Sequence, residues 1–279
     1  MNEPLLPIGR SIAPSSDDER GALPALRKGQ PTFHFVERDY EVRLARTADE
    51  LERAQRLRFE VFNRELGEGL RASESTGLDQ DPFDSQCDHL LLMLRETGEV
   101  VGTYRLQTSD MAERGNGFYC ACEYDLATAP REVLENGVEL GRACIAREHR
   151  RGHALFALFR GLAHYLVESR KRYLYGCCSL TGTDAAMGSL AATWLDGRGK
   201  NHGTFFVPAR EDYRMERVDV AAEDVERYAL PQLFGTYLRY GALVCSQPAV
   251  DREFGTIDFL VLFDLATFDV RLRKLFLEG

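Results

Sequence analysis

The segment from residue 138 to residue 169 constrains the fold most strongly, because it joins a strand, a basic loop and an apolar helix. Residues 138–146 have the pattern of a strand, with polar side chains at Glu139 and Arg142. A basic loop follows, and Gly152 lies where the helix is expected to begin. A helix N-terminus after such a loop presents free backbone N–H groups and positive charge. The segment therefore predicts an anion site beside a strand that carries a carboxylate.

The elements on either side of this segment predict a mixed α/β (α+β) fold. An amphipathic helix is expected over residues 49–66, and strands at 89–95 and 100–107 form a hairpin. The remaining predicted elements are strands at 40–45, 118–122, 173–179, 243–246 and 256–263 and helices at 131–135, 184–195, 222–240 (interrupted by Pro231) and 265–277. Residues 1–39 are predicted to be a flexible tail, and residues 40–279 a single domain.

Composition excludes several classes of protein. The net charge is −9, whereas nucleic-acid-binding domains usually carry a basic surface, so we expect no nucleic-acid partner. The seven cysteines, an odd number with several in apolar runs, predict reduced thiols in a cytoplasmic protein. The histidines and cysteines do not have the spacing of metal ligands, so no metal is expected. No stretch approaches the roughly 20 apolar residues of a membrane span.

Several short motifs occur in a characteristic order. These are Arg58–Glu65, Asp81–Asp84, Gly102–Leu106 and Glu139–Arg142. The series resembles that of acyl-homoserine-lactone synthases and of the ornithine Nα-acyltransferases of ornithine-lipid synthesis. Cys87–Leu91 and the region from Gly235 to Leu262 look specifically like the ornithine acyltransferase branch. The resemblance extends over about residues 40 to 276.

The loop at residues 149–154 resembles the acyl-donor loop of GNAT-fold acyltransferases. Gly152 and Ala154 match the usual loop signature, whereas His149 stands where that superfamily has Gln or Arg. The resemblance implies a GNAT-like fold, in which a mixed, mostly antiparallel twisted sheet is flanked by helices. It also implies that a phosphopantetheine-bound acyl group is a substrate and that no further cofactor takes part.

The resemblance implies a particular reaction. A 3-hydroxyacyl chain would pass from acyl carrier protein to the α-amine of L-ornithine, giving a lyso-ornithine lipid. Two alternatives stay open: an N-acyl-amino-acid synthase that uses another acceptor (glycine, lysine or tyrosine), and a non-catalytic module that only binds the carrier protein. Contact with the inner face of the cytoplasmic membrane is a further expectation, because residues 270–277 are basic and amphipathic. The same segment could simply pack on the core.

Three residues are candidates for catalysis. Glu139 is the first choice for accepting the proton of the attacking amine, a role that typically contributes ~10²–10⁴-fold. Arg142 would orient Glu139 or bind the carboxylate of the acceptor. Asp84 is the third candidate for a catalytic residue. The competing interpretation of Glu139 is a structural ion pair with Arg142 or Arg105.

The remaining candidates fall into two sets. The predicted acceptor-binding residues are Arg58, Phe62, Glu65, Asp81 and Arg105. Of these, Asp81 and Glu65, like Asp84, could bind the side-chain ammonium of ornithine, although Asp81 also fits ordinary turn chemistry. The predicted acyl-donor-binding residues are Cys144, Ile145, His149, Arg150, Arg151, Gly152, His153 and Ala154. Backbone N–H groups near Cys144 and Ile145 are expected to stabilise the oxyanion. The Cys144 thiol is expected to be a buried side chain rather than a nucleophile.

Overall fold

The computed structural model describes residues 30–150, 153–268, 270–271 and 274. Nine strands of this part of the chain form one sheet. They are β1 (His34–Glu37), β2 (Tyr40–Leu44), β3 (Asp88–Leu94), β4 (Val100–Thr108), β5 (Gly137–Ile145), β6 (Tyr173–Thr181), β7 (Leu243–Val244), β8 (Ala249–Asp251) and β9 (Thr256–Asp264). The strand order is β1-β2-β3-β4-β5-β6-β9-β7, and β8 also pairs with β9. All pairings are antiparallel except that of β5 with β6, which is parallel.

The described helices flank this sheet. They are α1 (Ala48–Phe59), α2 (Ser109–Arg114), α3 (Arg131–Glu135), α4 (Ala154–Ser169), α5 (Ala185–Gly197), α6 (Ala222–Arg227) and α7 (Gln232–Arg239). The mixed, mostly antiparallel sheet with flanking helices confirms the predicted fold class. Within the described residues, no helix is both long enough and apolar enough to span a bilayer.

Strand β3 shows how the sheet separates two packing layers. Successive side chains of a strand point to opposite faces. Leu90 and Leu92 accordingly lie in the core that includes α4, whereas Leu91 and Met93 pack with Ala54 of α1. This continuous apolar run is therefore buried on both faces, as expected for a central strand covered by helices.

Helix α1 changes its geometry before it ends. The side chain of Thr47 caps its N-terminus by accepting a hydrogen bond from the backbone N–H of Glu50. After Phe59 the chain continues as a π-helix over Glu60–Leu66, and Gly67 ends it with a left-handed φ of 68°. π-Helical turns are rare and are frequent at functional sites. The predicted helix over 49–66 is thus one continuous element with two geometries.

Strands β5 and β6 separate soon after they begin. Their pairing extends only from Gly137–Glu139 to Tyr173–Tyr175. Beyond it, the register between β4 and β5 shifts at a bulge, where Arg142 has a positive φ of 49°. A bulge bends its strand and redirects side chains, and a non-glycine residue at positive φ is uncommon. The divergence opens a cleft in the middle of the sheet.

The structure corrects several expectations about individual elements. Strand β1 lies inside the predicted tail, so the sheet begins before the predicted boundary at residue 40. Its four residues are too few to show a clear alternating pattern. The predicted strand at 118–122 is wrong: residues 119–122 form a 3-10 turn.

The helix interruption at Pro231 is confirmed, because α6 ends before it and α7 begins after it. Most of the segment 270–277, with its predicted membrane contact, lies outside the described residues.

Candidate active site

The cleft between β5 and β6 contains a cavity of about 290 Å³. Its two walls are residues 140–143 of β5 and residues 174–179 of β6. One end is apolar and includes Leu233, Phe234 and Val261. A second, smaller cavity of about 40 Å³ adjoins this end, since the two share Leu140, Leu174, Tyr237 and Phe263. The paired cavities offer an apolar space that continues from the separated strands towards α4.

The other end of the main cavity is acidic. Glu68, Glu123 and Asp258 line it, and Arg142 is the one basic residue among the described lining residues. Asp258 accepts hydrogen bonds from the hydroxyls of Ser179 and Thr256. Burial raises the pKa of Asp258 to about 6, and burial also raises the pKa of Glu123 well above its usual value. The cavity therefore combines an apolar space with a wall of buried carboxyl groups.

A buried network of arginines and aspartates lies next to this cavity. Arg58 donates from Nε to Asp79 at 2.7 Å, and from Nη1 and Nη2 to the two oxygens of Asp84 at 3.0 Å each. Burial opposes the ionisation of Asp84, but Arg58 and Arg105 outweigh it and hold the pKa of Asp84 well below its usual range. Arg58 is therefore paired with Asp79 and Asp84, and its buried side chain joins α1 to the loop after it.

Arg105 and Arg142 complete the network through Asp81. Arg105 Nη1 lies 2.6 Å from both oxygens of Asp81, and Arg142 Nη2 donates to Asp81 Oδ2 at 3.0 Å. The guanidinium group of Arg142 also lies 4.8 Å from the ring centre of Tyr119 and 4.4 Å from that of Phe254. Three arginines thus face three aspartates. Internal partners already neutralise the carboxylates of Asp81 and Asp84.

Glu139 has no ion pair with Arg142 or Arg105 in the described structure, in contrast to one interpretation of the sequence. Its two carboxylate oxygens accept hydrogen bonds from the backbone N–H groups of Tyr119 (3.0 Å) and Cys120 (2.7 Å). Burial raises the pKa of Glu139, and these hydrogen bonds oppose the rise. Glu139 does not itself line the cavity, although the adjacent Leu140 does. Its contacts fix the turn that carries Tyr119 into the cavity wall.

The described part of the basic loop is tied to the π-helix. Arg150 forms a bidentate ion pair with Glu65, at 2.6 and 2.7 Å, and donates from Nε to the carbonyl oxygen of Ile145. His149 Nδ1 lies 3.0 Å from the hydroxyl oxygen of Tyr40. The predicted acceptor residue Glu65 and the predicted donor residue Arg150 therefore bind each other.

The other predicted donor residues follow the strand into the helix. Cys144 pairs with Thr103 of β4, and burial raises the pKa of its thiol to about 12, which disfavours a nucleophilic thiolate at neutral pH. His153 precedes α4 without a side-chain capping bond, and Ala154 is the first, fully buried residue of that helix. Arg151 and Gly152 lie outside the described residues, so their predicted roles stay predictions.

Comparison with known proteins identifies the family. The acetyltransferase (GNAT) domain family matches residues 57–160. An L-ornithine N(alpha)-acyltransferase of Rhodobacter capsulatus is 36% identical over 247 residues, covering 85% of this chain and 94% of its own length. Proteins of the same name from Agrobacterium fabrum and Brucella abortus are each 33% identical, covering 81% of this chain and 81% and 84% of their own lengths. The chain belongs to the L-ornithine Nα-acyltransferase family.

The solved structures that resemble this ornithine acyltransferase family member have lower sequence identity to it than the relatives above. The acyl-homoserine-lactone synthase LasI is 13% identical, with a TM-score of 0.47, over 86% of this chain and 95% of its own. The N-acyl amino acid synthase FeeM from uncultured soil microbes is 11% identical, with a TM-score of 0.48, over 82% and 92% of the two chains. The family membership rests on the curated relatives and identifies the chain as an acyltransferase.

Sequence reasoning missed the acidic end of the cavity in this acyltransferase. Glu68 and Glu123 lie in irregular segments, where acidic residues are common and usually solvated. Asp258 carried a signal, because it interrupts the otherwise apolar core of β9, and aspartates are almost never fully buried without partners. Asp79, which joins Arg58 and Arg142, was also missed, although it lies two residues from the recognised Asp81.

Proposed function

We propose that this chain transfers a 3-hydroxyacyl group from the thioester of acyl carrier protein to the α-amine of L-ornithine, giving a lyso-ornithine lipid. The names of the curated relatives support acyl transfer to ornithine. The observation that carries the proposal is the cavity between β5 and β6, which joins an apolar space to a wall of carboxyl groups. A fatty acyl chain can be buried in the apolar space, and the ammonium group of a cationic amino acid can bind the carboxyl groups.

The reaction forms one C–N bond and breaks one C–S bond. The neutral α-amine attacks the thioester carbonyl carbon, the oxygen takes on negative charge, and the carrier's thiolate leaves and takes up a proton. The amine loses a proton in exchange. An amino acid α-amine has its pKa near 8 or above, so a proton acceptor near the amine accelerates attack at neutral pH.

Glu139 is the proton acceptor in this proposal, and because it does not itself line the cavity, it would take up the proton of the amine through a bridging water molecule. Its raised pKa favours proton uptake, and its two backbone hydrogen bonds hold the carboxylate in one orientation. Arg142 lines the cavity and carries the permanent charge that would bind the acceptor's α-carboxylate. The backbone near Cys144 and Ile145, just beyond the β5 bulge, would supply oxyanion-binding N–H groups.

The acyl chain would occupy the apolar space on the α4 side of the cleft. Leu140, Leu174, Tyr237 and Phe263 line both cavities and would contact the chain along its length. Burial of each methylene of such a chain contributes about 0.8 kcal/mol. The combined length of the two cavities would therefore set the preferred acyl chain.

The carrier protein would dock near the basic loop. Arg147 has a side chain that is 76% exposed, and it lies beside the Glu65–Arg150 ion pair. Carrier proteins present acidic surfaces, and complementary charges mainly raise the rate of association. We therefore assign Arg147 to the docking surface and Arg150 to the structure that supports it.

The test is a two-substrate assay with the purified full chain. With 3-hydroxyacyl carrier protein and L-ornithine, we expect release of the pantetheine thiol and an N-acylornithine product detected by mass spectrometry. Matched assays with acyl-CoA separate the donor assignment from the acceptor assignment. If glycine, lysine or tyrosine is acylated and ornithine is not, the acceptor assignment is wrong. If the carrier protein binds and no acceptor is acylated, the catalytic proposal is wrong.

A further inference from the structure

The acidic end of the cavity has an excess of negative groups. Three carboxyl groups, those of Glu68, Glu123 and Asp258, line it, against the single basic side chain of Arg142 among the described lining residues. Arg142 is in turn bound to Asp81 and lies 3.3 Å from Asp79 through its Nε. Arg142 attracts Glu123 but does not outweigh burial and the neighbouring acids, so the pKa of Glu123 stays well above its usual value. A cavity wall lined by several acids favours a cationic occupant over an anionic one.

Glu123 is the least satisfied of these acids. It is 1% exposed and lines the cavity, yet its carboxyl group accepts one hydrogen bond among the described residues, a long one of 3.8 Å from the thiol of Cys177 to Oε2. No arginine or lysine of the described chain forms an ion pair with Glu123, Asp258 or Glu68. A buried carboxyl group without a strong donor is costly, so such a group is expected to have a partner in the functional complex.

Asp258 is held close to Glu123. Ligand atoms from Glu123, Cys177 and Asp258 all lie within 4.8 Å of one another. Asp258 is oriented by hydroxyl donors, Ser179 and Thr256, which bind a carboxylate without cancelling its charge. Like charges at this separation repel, and a cation between them removes the repulsion. The raised pKa values of both groups agree with two buried acids that lack a cationic partner.

The acids that the sequence predicted as ammonium ligands are differently placed. Asp81 is bound by Arg105 and Arg142, Asp84 by Arg58 and Arg105, and Glu65 by Arg150. A substrate ammonium would have to displace an arginine to reach any of them. Glu123 and Asp258 need no such displacement.

We propose that Glu123 and Asp258 form the subsite for the side-chain ammonium of a diamino acid acceptor, and that they select such acceptors over amino acids with neutral side chains. The inference rests on the proposed function, because it assigns a specificity element of the same acyl-transfer site. Arg142 lines the same cavity and would bind the α-carboxylate of the acceptor through N–H groups that Asp81 does not use, so the acceptor is held at two points. Glu68, bound by Thr181, adds to the negative potential of this end.

The test compares L-ornithine with L-norvaline, which has the same carbon skeleton but no side-chain amine. We expect the wild-type protein to prefer ornithine in kcat/KM by about 10- to 100-fold, the typical value of one or two charged hydrogen bonds. In Glu123→Gln and Asp258→Asn, this preference should fall at least severalfold, because the rate with ornithine falls more than the rate with norvaline. Glu253→Gln, which changes an exposed acid outside the cavity, should leave the preference unchanged.

Calorimetric binding of ornithine and norvaline to the donor-free protein gives a second readout that does not depend on turnover. Tighter binding of ornithine, weakened by Glu123→Gln, supports the subsite even if acyl transfer fails in the assay. Equal binding of the two amino acids to the wild-type protein would overturn the subsite, and so would variants that slow both acceptors alike. Acylation of norvaline as readily as ornithine would leave the acyltransferase proposal standing and remove only this inference.

Discussion

Gly176 of β6 passes so close to β5 that a Cβ atom at this position would lie 2.2 Å from the carbonyl oxygen of Leu140. Both residues line the cavity, and they follow directly on the last paired residues of the two strands. The close approach therefore occurs at the point where the strands begin to separate. A glycine at this position lets β6 pass β5 and diverge from it, which makes the cleft.

A Gly176→Ala substitution tests this relationship. The added methyl group meets backbone, which cannot move aside as a flexible side chain would, so we expect a loss of about 1–3 kcal/mol in the free energy of unfolding. Urea denaturation measures it. Gly235→Ala is the control, because no atom lies within 4 Å of its added Cβ and α7 should gain about 0.5–1 kcal/mol. Equal stabilities of wild type and Gly176→Ala would contradict the proposed role of the glycine.

The central architecture could be predicted because its signals are local. The alternating pattern of β2, the turn between β3 and β4, and the apolar face of α1 each depend on residues close in sequence. The short strands β1 and β8 could not, since three or four residues carry almost no periodicity. Their positions depend on pairing with neighbours that are already formed.

The roles of individual acids could not be predicted for a different reason. Asp81 is 61 residues from Arg142 in sequence, and Glu65 is 85 residues from Arg150. Whether an acid is neutralised or free depends on such distant partners, which no local pattern reports. The motifs contribute residues to the cavity and to the network beside it, while the pairing with arginines decides which carboxyl groups lack an ion-pair partner. Asp84 and Glu123 are both buried acids, yet only the former is surrounded by arginines.

Removing the charge of Asp84 should destabilise the protein strongly. Asp84→Asn breaks a buried network and leaves Arg58 and Arg105 with one fewer counter-charge, which typically costs about 3–5 kcal/mol. Asp110→Asn is the control, because its ion pair with Arg114 is exposed and should contribute little. If Asp84→Asn instead retained full stability and lost turnover, Asp84 would have the catalytic role that the sequence suggested.

The same network predicts how stability depends on pH. The pKa of Asp84 is lower in the folded protein than in the unfolded chain, where it is about 3.9. The contribution of Asp84 is therefore fully present above that value and is lost as the pH falls below about 4. Between about pH 5 and about pH 3, the range around the pKa of Asp84 in the unfolded chain, the carboxylate becomes protonated. We expect the unfolding free energy of the wild type to fall more steeply over this range than that of Asp84→Asn. Parallel curves would show that Asp84 is not the ionised partner of the arginines.

Glu139→Gln separates catalysis from local structure. If Glu139 accepts the proton of the amine, kcat should fall by about 10²–10⁴-fold with little change in KM, because glutamine cannot take up the proton. The amide can accept only one of the two backbone N–H bonds, so some stability should also be lost, about 1–3 kcal/mol.

Glu113→Gln, at an exposed position of α2, is the control for both measurements. The pH profile distinguishes the two roles of Glu139. A base assignment requires the acidic limb of the kcat profile to disappear in Glu139→Gln. A variant that melts at lower temperature but keeps its turnover and its acidic limb would restrict Glu139 to holding the backbone of Tyr119 and Cys120 in place.

The preference for ornithine over norvaline should itself depend on pH. Burial raises the pKa of Asp258 to about 6, so its carboxyl group loses its charge as the pH falls through that value, while the substrate ammonium stays protonated. The groups that face Asp258 are Ser179, Thr256, Asp251, Glu68, Glu123 and Cys177. Asp251 and Glu68 raise its pKa further, the hydroxyls of Ser179 and Thr256 lower it, and none of these neighbours is basic.

The ratio of kcat/KM for the two acceptors is the quantity to measure, because both carry an α-amine and its titration largely cancels. The ratio should increase as the pH rises from about 5 to about 7, since the carboxylate that binds the second ammonium then forms. In Asp258→Asn the same ratio should be lower and should lose the step near pH 6, because the amide does not titrate. A wild-type ratio that is constant across this range would mean that Asp258 does not contact the side-chain ammonium, whatever the rate of acyl transfer itself.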